Sequence, residues 1–414
     1  MARTDAVVLG AGIVGAAIAL HLARRGLAVA LVDRGLPGEE TSFGNAGIIE
    51  GNTVFPPLFP AGIAALVRVA LKRAPEANYH LSYLPRVAPW LLAYRTWSQP
   101  GHLAQTARLM RPLFAAAIPE HELLMGEAKA AHLLRKTGWL RLYRSDESFA
   151  ATTPEREIAE HFHIPCRVLD PDGIRALEPA LAPVARHGVL WESAASTGDP
   201  LALTRAYVAR FTALGGIVLK GDARSLHRSA GRWRVETAEG NVDTGDAVVA
   251  LGPWSPDLLA PLGINLPMAV KRGYHRHFAA RGGASLSRPV LDVDNGYCLT
   301  AMAQGIRLTT GAEFADRDAP PTPVQFDRLL PAARALFPLG DPREEHAWMG
   351  SRPCFADSRP VIGPAPGQAG LWLAFGHAHW GLTLAAVTGR LIAELVTGAA
   401  TFIDPAPLAA TRFR

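Results

Sequence analysis

Cysteine is scarce in this sequence of 414 residues. Only Cys166, Cys298 and Cys354 occur, far apart, with neither a Cys-x-x-Cys pair nor the spacing of metal ligands. This pattern argues against a disulfide framework and against a metal site built from cysteine. We therefore expect a protein of a reducing compartment without a bound metal.

Long runs of one charge are also lacking. The chain has 42 Lys and Arg residues against 37 Asp and Glu residues, a net charge of +5, and no basic run longer than a pair. This distribution argues against a nucleic-acid-binding tail and favours attraction to small anions such as a dinucleotide or a carboxylate substrate. Hydrophobic residues make up 49% and charged residues 19%, which allows a sizeable core in one large domain or, as we expect, two.

An uninterrupted membrane-spanning segment is missing as well. Residues 6–20 are uncharged, but their glycines fit a nucleotide-binding turn. Residues 360–389 contain no Lys, Arg, Asp or Glu, yet glycines interrupt the middle of the run. Residues 54–74 are apolar with three basic residues among them, which fits either core packing or contact with a membrane surface. We expect a cytoplasmic protein, or one held peripherally on the inner face of the cell membrane.

The hydrophobic periodicity predicts alternating strands and helices. Residues 6–9 and 28–32 are apolar runs typical of strands, and residues 13–25 between them have helical spacing. Residues 61–132 are expected to form several packed helices, broken by the prolines at 75, 85, 89, 100, 112 and 119. The remaining predicted elements are a strand at 137–144, a helix at 201–214, alternating antiparallel strands at 270–278, 289–293, 297–301 and 306–310, a strand at 371–375 and a helix at 382–397.

A dinucleotide-binding fingerprint stands at the N-terminus. Gly10, Gly12 and Gly15 form a Gly-x-Gly-x-x-Gly motif between the first predicted strand and helix, which is the context that the motif requires. The first glycine permits the tight turn, the second lets a pyrophosphate approach the backbone, and the third allows close packing of helix on strand. Asp33, eighteen residues after Gly15, is placed to accept hydrogen bonds from a ribose. The fingerprint does not separate FAD from NAD.

Four further segments, in order along the chain, resemble those of D-amino-acid dehydrogenases in the D-amino-acid oxidase/glycine oxidase superfamily. They are residues 40–47 (Glu-Thr-Ser-Phe-Gly-Asn-Ala-Gly), 246–255, 348–353 (Trp-Met-Gly-Ser-Arg-Pro) and 376–383 (Gly-His-Ala-His-Trp-Gly-Leu-Thr). Two details depart from the family pattern. Ser358 stands where the family commonly has glycine in Asp-Gly-x-Pro, and His379 and Trp380 follow the histidine at 377.

The resemblance implies an α/β fold with an FAD-binding Rossmann-like domain of the glutathione-reductase type. An α+β substrate domain, built on an antiparallel sheet, is inserted into it. We expect residues 1–50, 150–260 and 340–414 in the FAD domain, and 51–149 and 261–339 in the substrate domain. The expected contacts of non-covalent FAD are Gly10, Gly12, Ile13, Val14, Gly15, Asp33, Arg34, Thr41, Ser42, Asn45, Ala46, Gly47, Gly252, Trp254, Gly350, His379, Gly381, Leu382 and Thr383.

The resemblance also implies amine oxidation. Flavin N5 takes the Cα hydride, so the protein must orient the substrate and stabilise charge. Arg352 matches the family position that binds the substrate carboxylate, and a guanidinium fork suits that anion. Tyr297 matches a tyrosine that hydrogen-bonds the same carboxylate, and Tyr274 a tyrosine of the pocket wall. His377 is a further candidate, either as an acid/base group or as a capping group.

Two residues near the expected site have plain alternatives. Cys354 is expected to be a packed thiol, because it does not fall on the position of relatives that bind flavin covalently. Glu50 is expected to be exposed to solvent, although it could engage a substrate ammonium group.

Several functions fit these observations. The first is oxidative deamination of D-amino acids to imino acids and then 2-oxo acids, with quinone or O2 as electron acceptor. Cyclic imino acids such as D-proline or hydroxyproline, and N-methyl amino acids such as sarcosine, are alternative substrates. An NAD-dependent dehydrogenase would not explain residues 41–47 or 348–353, and a non-catalytic flavoprotein would not explain Arg352 together with Tyr297.

Overall fold

The structure is a computed structural model that describes residues 2–53, 56, 58–60 and 62–413, so the apolar stretch at 54–74 lies partly outside the described residues. The α-helices are α1 Ile13–Arg24, α2 Ile63–Ala70, α3 Leu84–Trp97, α4 Pro100–Glu127, α5 Asp146–Ala150, α6 Thr153–His161, α7 Pro171–Leu177, α8 Pro200–Ala213, α9 Ser255–Leu259, α10 Val324–Leu336 and α11 Gly381–Val396. None of these helices is long and apolar enough to cross a membrane.

The strands follow the alternating apolar segments of the sequence. They are β1 Ala2–Leu9, β2 Val29–Asp33, β3 Ile48–Ile49, β4 Ala77–Tyr79, β5 Leu134–Arg135, β6 Trp139–Tyr143, β7 Cys166–Leu169, β8 His187–Trp191, β9 Ala195–Thr197, β10 Ile217–Lys220, β11 His227–Ser229, β12 Arg232–Thr237, β13 Gly240–Val249, β14 Met268–Ala280, β15 Val290–Asp292, β16 Tyr297–Met302, β17 Gly305–Thr309, β18 Ala312–Phe314, β19 Leu339–Pro342, β20 Trp348–Phe355, β21 Val361–Pro364 and β22 Leu371–Phe375.

The first sheet carries the predicted nucleotide fingerprint. Its strand order is β10-β2-β1-β13-β12-β11, with β22 pairing β13 and β21 pairing β22, and the strands from β10 to β13 and β22 run parallel. β1 is buried on both faces: Val8 packs into a core with α1, α4, α8 and α11, whereas Val7 packs into a second core with β12. A strand covered on both sides explains the continuous apolar run in the sequence.

The second sheet is largely antiparallel, as the alternating segments predict. Its strand order is β4-β18-β14-β17-β16-β15-β6-β8-β7, and β19 and β20 also pair with the long strand β14. One face packs against α10 through Leu299, Leu308 and Leu329, which are fully buried. The other face borders a large cavity between the two sheets.

The sheets divide the chain differently from the predicted domain ranges at two places. Strands β7 and β8, within 150–260, and strand β20, within 340–414, were expected in the nucleotide domain but pair in the second sheet. The reason is that β20 pairs with β14 and β8 pairs with β6, over sequence distances that local periodicity does not reveal. Elsewhere the division stays a prediction.

Three prolines expected to break helices lie inside them instead. Pro89 is within α3, and Pro112 and Pro119 are within the 28-residue helix α4. All three are on the exposed side of their helix, where the carbonyl groups that lose a partner can reach water. The opposite side of α4 is buried, through Leu113 among others, and this packing compensates the missing hydrogen bonds. Pro85 and Pro100 do begin helices as expected.

Candidate functional site

A cavity of about 1560 Å³ runs between the two sheets. It exceeds the roughly 300–1,000 Å³ of a single small-ligand pocket, so it has room for a dinucleotide together with a substrate. Most of the predicted site residues line it: Gly10, Gly12, Ile13, Val14, Asp33, Arg34, Thr41, Ser42, Asn45, Ala46, Gly252, Trp254, Tyr274, Gly350, Arg352, His377, His379, Gly381 and Leu382. Four do not: Gly15, Gly47, Tyr297 and Thr383.

The glycine turn has the close packing that the fingerprint requires. A Cβ on Gly15 would lie 1.8 Å from the Gly10 carbonyl oxygen, so Gly15 acts by permitting the turn rather than by touching a ligand. Gly12 precedes α1 and offers no side chain to cap it. Gly12, Ile13 and Val14 line the cavity, and the Ile13 N–H donates to Ser42 Oγ at 2.9 Å, so the N-terminus of α1 lies where a pyrophosphate would bind.

Asp33 is held in place by the backbone at the end of β2. Its Oδ2 accepts from the Ala11 amide at 2.6 Å, and its Oδ1 accepts from the Gly35 amide at 2.8 Å. Each carboxylate oxygen keeps a further lone pair, and the side chain is only half-buried at the cavity wall. This arrangement fits a ribose hydroxyl donating to Asp33.

The end of the cavity next to Asp33 contains residues that were not predicted from the sequence. Asp222, Ala223 and Arg224 follow the parallel strand β10 and line the cavity near Asp33. Their position at the carboxyl end of a parallel strand is a signal that could have found them. On the other side, the Arg34 guanidinium lies 4.8 Å from the Trp254 ring centroid, which gives this end a flat, cationic wall.

Two predicted cofactor residues position the backbone instead of lining the cavity. A Cβ on Gly47 would lie 2.2 Å from the Thr197 carbonyl oxygen, so glycine is needed for close packing of two strands. Thr383 Oγ1 accepts from the Glu50 amide at 3.1 Å and donates to the Ile48 carbonyl at 3.3 Å. Thr383 thereby ties the segment after residue 47 to the start of α11, whose first residues, Gly381 and Leu382, line the cavity.

Arg352 lies on β20 and faces the middle of the cavity. Its Nη1 donates to the Gly311 carbonyl at 3.0 Å, and its Nη2 is 3.5 Å from the Thr310 carbonyl. Among the described residues, no carboxylate lies within ion-pairing distance, and burial lowers the pKa of this guanidinium. The two carbonyls orient a cation whose charge is left without a partner, which is the arrangement that an anionic ligand requires.

The structure contradicts the placement of Tyr297 at the carboxylate. Tyr297 is buried, its hydroxyl donates to the Ala332 carbonyl at 3.2 Å, and the cavity is lined instead by its neighbour Cys298. Successive residues of a strand point to opposite faces, so the prediction chose the wrong face of β16.

Tyr274 borders the cavity, but its hydroxyl is committed elsewhere. It donates to Glu313 Oε2 at 2.5 Å and accepts from the Thr322 amide at 2.9 Å, beside the buried guanidinium of Arg272. Two further residues of β14, Lys271 and Gly273, also line the cavity. Lys271 is therefore a cavity residue that the analysis of the sequence missed.

The two histidines next to α11 are neutral; His377 is buried, and His379 is half-buried at the cavity wall. Burial lowers the pKa of His377 to about 3, and its Nε2 lies 3.0 Å from Thr388 Oγ1 in α11. Burial, with smaller contributions from Arg352, Lys271 and Arg141, lowers the pKa of His379 to about 3. His377 is thus held by a hydrogen bond to α11. An imidazole with so low a pKa is a weak base near neutral pH.

Glu50 is buried, so the expectation of a solvent-exposed side chain is wrong. Only 8% of the residue is exposed, and its carboxyl group lines the cavity and accepts a hydrogen bond from the Thr53 hydroxyl. Burial raises the pKa of this carboxyl group. A second missed residue, Arg141, lies on the same wall but is paired with Glu155 at 2.6 Å.

The cysteines are free thiols. Cys354 is buried at the cavity wall, as expected for a packed thiol, and burial raises its pKa. Burial also raises the pKa of Cys298 to about 11. Within the described part of the chain, no group of three or more His, Cys, Asp or Glu side chains is arranged to hold a metal ion.

The glycine turn, the held aspartate and the two-sheet cavity define the class of protein: a dinucleotide-binding protein whose cavity extends beyond the nucleotide site. Residues 5–395 match the family model of the FAD dependent oxidoreductases (DAO). The chain belongs to this family, which confirms the predicted superfamily and identifies the cofactor as FAD. The residues present fit FAD. The tight turn of Gly10 and Gly15 leaves room for a pyrophosphate, the Asp33 carboxylate keeps lone pairs for a ribose, and the start of α11 lies at the same cavity.

Relatives and solved structures agree with the family. The chain is 31% identical to D-amino-acid oxidase of Bradyrhizobium diazoefficiens, over 98% of each chain. It is 33% identical to D-amino acid dehydrogenase of Cereibacter sphaeroides, over 98% of this chain and 95% of the relative. The crystal structure of glycine oxidase from Geobacillus kaustophilus has the same fold, with a TM-score of 0.76 at 22% identity, over 100% of this chain and 99% of that one.

Proposed function

We propose that the protein oxidises D-amino acids to imino acids, which water then hydrolyses to 2-oxo acids. The observation that carries this proposal is Arg352, a cavity-facing guanidinium oriented by two carbonyls and without an acidic partner in the described residues. The names of the two curated relatives support the same substrate class. Bound FAD would supply the hydride acceptor, and the residues of the chain would bind and orient the amino acid.

The two polar ends of an amino acid have matching partners in the cavity. The guanidinium of Arg352 would bind the α-carboxylate, since its fork holds both oxygens. The carboxyl group of Glu50 lines the same cavity and would face the ammonium group. A buried carboxylate there would accept the ammonium proton and leave the neutral amine that hydride loss from Cα requires.

Quinone is the electron acceptor that we propose. On α2, Ile63 and Val67 are one turn apart and 82% and 48% exposed, and Leu71 just beyond the helix is 56% exposed. Other side chains of this helix, Leu66 and Val69, line the cavity. An exposed apolar stripe beside the cavity supports peripheral contact with the cell membrane, from which an apolar quinone could enter.

The test of the substrate is anaerobic reduction of the flavin. The purified protein is mixed with D- and L-amino acids, D-proline, hydroxyproline and sarcosine, and the oxidised flavin absorbance is followed. The proposal predicts bleaching by D-amino acids, and kcat/KM about 100-fold lower in Arg352→Met because charge-assisted hydrogen bonds are lost. Arg86→Met is the matched control, since Arg86 is exposed, pairs with Asp316 and does not line the cavity. Bleaching only by L-amino acids, or an unchanged Arg352→Met variant, would refute the proposal.

The test of the acceptor compares reoxidation by air, by a soluble quinone and by quinone-containing anionic vesicles. We expect vesicles to reoxidise the wild type faster than air does, and Val67→Glu to lose this advantage while keeping its rate with the soluble quinone. Equal rates in air and with vesicles would favour an oxidase.

A further inference from the structure

Arg352 does not face the cavity alone, because Lys271 lies directly opposite it. The antiparallel strands β14 and β20 are in register so that Lys271 pairs with Arg352, and residues in such pairs share one face of the sheet. Both side chains line the cavity. The wall that would receive a substrate carboxylate therefore carries two cations on adjacent strands.

Three aromatic rings surround the ammonium group of Lys271. Its Nζ lies 4.1 Å from the ring centroid of Tyr94, 4.8 Å from that of Trp90 and 5.6 Å from that of Phe314. The rings stabilise the cation and restrict where it can move. They do not use its N–H donors in the way that a carboxylate would, and burial beside Arg352 lowers its pKa.

Within the described part of the chain, neither cation has an acidic partner. No hydrogen bond or ion pair to Lys271 Nζ is formed by the described residues, and the neighbouring cation Arg141 differs because it has Glu155. Holding two unpaired cations side by side in a sheltered cavity costs free energy. One α-carboxylate would compensate Arg352, and a second anionic group would compensate Lys271.

We propose that Lys271 makes the enzyme selective for amino acids that carry a second carboxylate, of the D-aspartate and D-glutamate type. Arg352 takes the α-carboxylate, and Lys271 takes the distal carboxylate within its aromatic enclosure. Lys271 is on this account a specificity-determining residue that contacts the substrate. The inference rests on the proposed function, because it assumes that an α-amino acid occupies the cavity.

The first experiment measures binding without turnover. The FAD-loaded protein is titrated with glutarate or succinate, which carry two carboxylates, and with butyrate, which carries one, and the shift of the flavin spectrum is recorded. The wild type is expected to bind the dicarboxylates about tenfold more tightly than butyrate, as one charge-assisted hydrogen bond would give. Lys271→Met should remove this difference and leave the Kd of butyrate within about twofold. Lys271→Arg should retain it.

The second experiment compares acids with their amides as substrates. The wild type is expected to oxidise D-glutamate and D-aspartate with kcat/KM about tenfold above D-glutamine and D-asparagine, and Lys271→Met should lower only the values for the acids. Equal values for acids and amides in the wild type would overturn the inference. So would an equal loss for both in Lys271→Met, since that marks Lys271 as a packing residue.

The two proposals fail in distinguishable ways. If D-amino acids bleach the flavin but the wild type prefers neither dicarboxylates nor acidic substrates, the role of Lys271 is wrong and the proposed function stands. If no amino acid bleaches the flavin while dicarboxylates bind tightly through Lys271, the proposed function is wrong and the second anion site stands.

Discussion

Arg272 and Glu313 form an ion pair in which both side chains are fully buried, with Arg272 Nη2 2.6 Å from Glu313 Oε2. The Tyr274 hydroxyl donates to the same oxygen. The pair faces away from the cavity, on the side of β14 opposite Lys271. The charge of Arg272 is therefore neutralised inside the fold, and Lys271 is the cation of residues 271–274 that lines the cavity.

Glu313→Gln should destabilise the protein strongly. The substitution leaves the buried guanidinium of Arg272 without a counter-charge, which costs about 3–5 kcal/mol of unfolding free energy. Asp316→Asn is the control, because its pair with Arg86 is exposed and should contribute less than about 1 kcal/mol. Urea denaturation of both variants measures the difference, and equal losses would contradict the importance of the buried pair.

The same pair predicts a dependence of stability on pH. Burial alone would raise the pKa of Glu313, but hydrogen bonds from Thr322, Tyr274 and Arg272 outweigh burial and hold the pKa below its ordinary value. A carboxyl group with a lowered pKa in the folded state stabilises the protein above its unfolded pKa of about 4.3, and this contribution is lost as the pH falls further. The gap in unfolding free energy between wild type and Glu313→Gln should thus be constant near neutral pH and shrink below about pH 4. A gap that widens in acid would be incompatible with this pair.

Adjacent residues of β16 should respond oppositely to substitution. Tyr297→Phe removes a hydroxyl that bonds the Ala332 carbonyl and interacts with Asp292 and Arg144 outside the cavity, so we expect a loss of about 1 kcal/mol in stability and an unchanged KM. Cys298→Met adds bulk on the cavity side and should raise KM with little change in stability. Steady-state kinetics and thermal denaturation of the two variants decide the matter. A large rise of KM in Tyr297→Phe would mean that Tyr297 does contact the substrate.

The residues predicted for the nucleotide half of the site follow from local features of the sequence, and most of them line the cavity. The turn of Gly10 to Gly15 and the strand end at Asp33 depend on backbone geometry, which glycine spacing and apolar runs report directly. Which face of a strand meets the ligand is harder to predict. Tyr297 was assigned to the wrong face and Lys271 was missed, because alternation gives two faces without saying which one meets the ligand.

Burial that depends on contacts between residues far apart along the chain could not be predicted from the sequence. Glu50 is sheltered by contacts with Thr53 and Thr383, the latter some 330 residues away, and nothing in its own neighbourhood predicts this. Strands β8 and β20 likewise join the second sheet through β6 and β14, which are distant along the chain. Such pairings depend on tertiary packing, which overrides local pattern.

Ser358→Gly should stabilise the protein modestly. Ser358 has a φ of 58°, in the left-handed region where an L-residue other than glycine is strained by about 1–2 kcal/mol. Glycine relieves this strain but makes the unfolded chain more flexible, so a net gain of about 0.5–1 kcal/mol is expected. Ser358→Ala keeps the strain and serves as the control, with thermal denaturation as the measurement. A destabilised Ser358→Gly would mean that the serine side chain itself holds the turn.

The FAD should be released when the protein is denatured. Burial raises the pKa of both Cys298 and Cys354, so the two thiols at the cavity wall are protonated and weakly nucleophilic near neutral pH. After acid precipitation, the flavin absorbance is expected in the supernatant and not in the pellet. Flavin that stays with the pellet in the wild type but not in Cys354→Ser would demonstrate a covalent link and contradict non-covalent binding.

Glu50 should set the acid limb of the pH profile. Its carboxyl group must be ionised to accept the ammonium proton of the substrate, and because burial raises its pKa, kcat/KM should rise with pH through a value above the ordinary 4.3 or so. Glu50→Gln should lower kcat/KM and abolish this limb.

Thr53→Val provides the sharper test of the same assignment. The Thr53 hydroxyl donates to the Glu50 carboxyl group and so favours its ionised form. Removing that donor should raise the pKa of Glu50 further and move the acid limb to higher pH, while the plateau of kcat/KM at alkaline pH stays close to that of the wild type. A limb that does not move in Thr53→Val, or that persists in Glu50→Gln, would assign the titration to another group and remove Glu50 from the reaction.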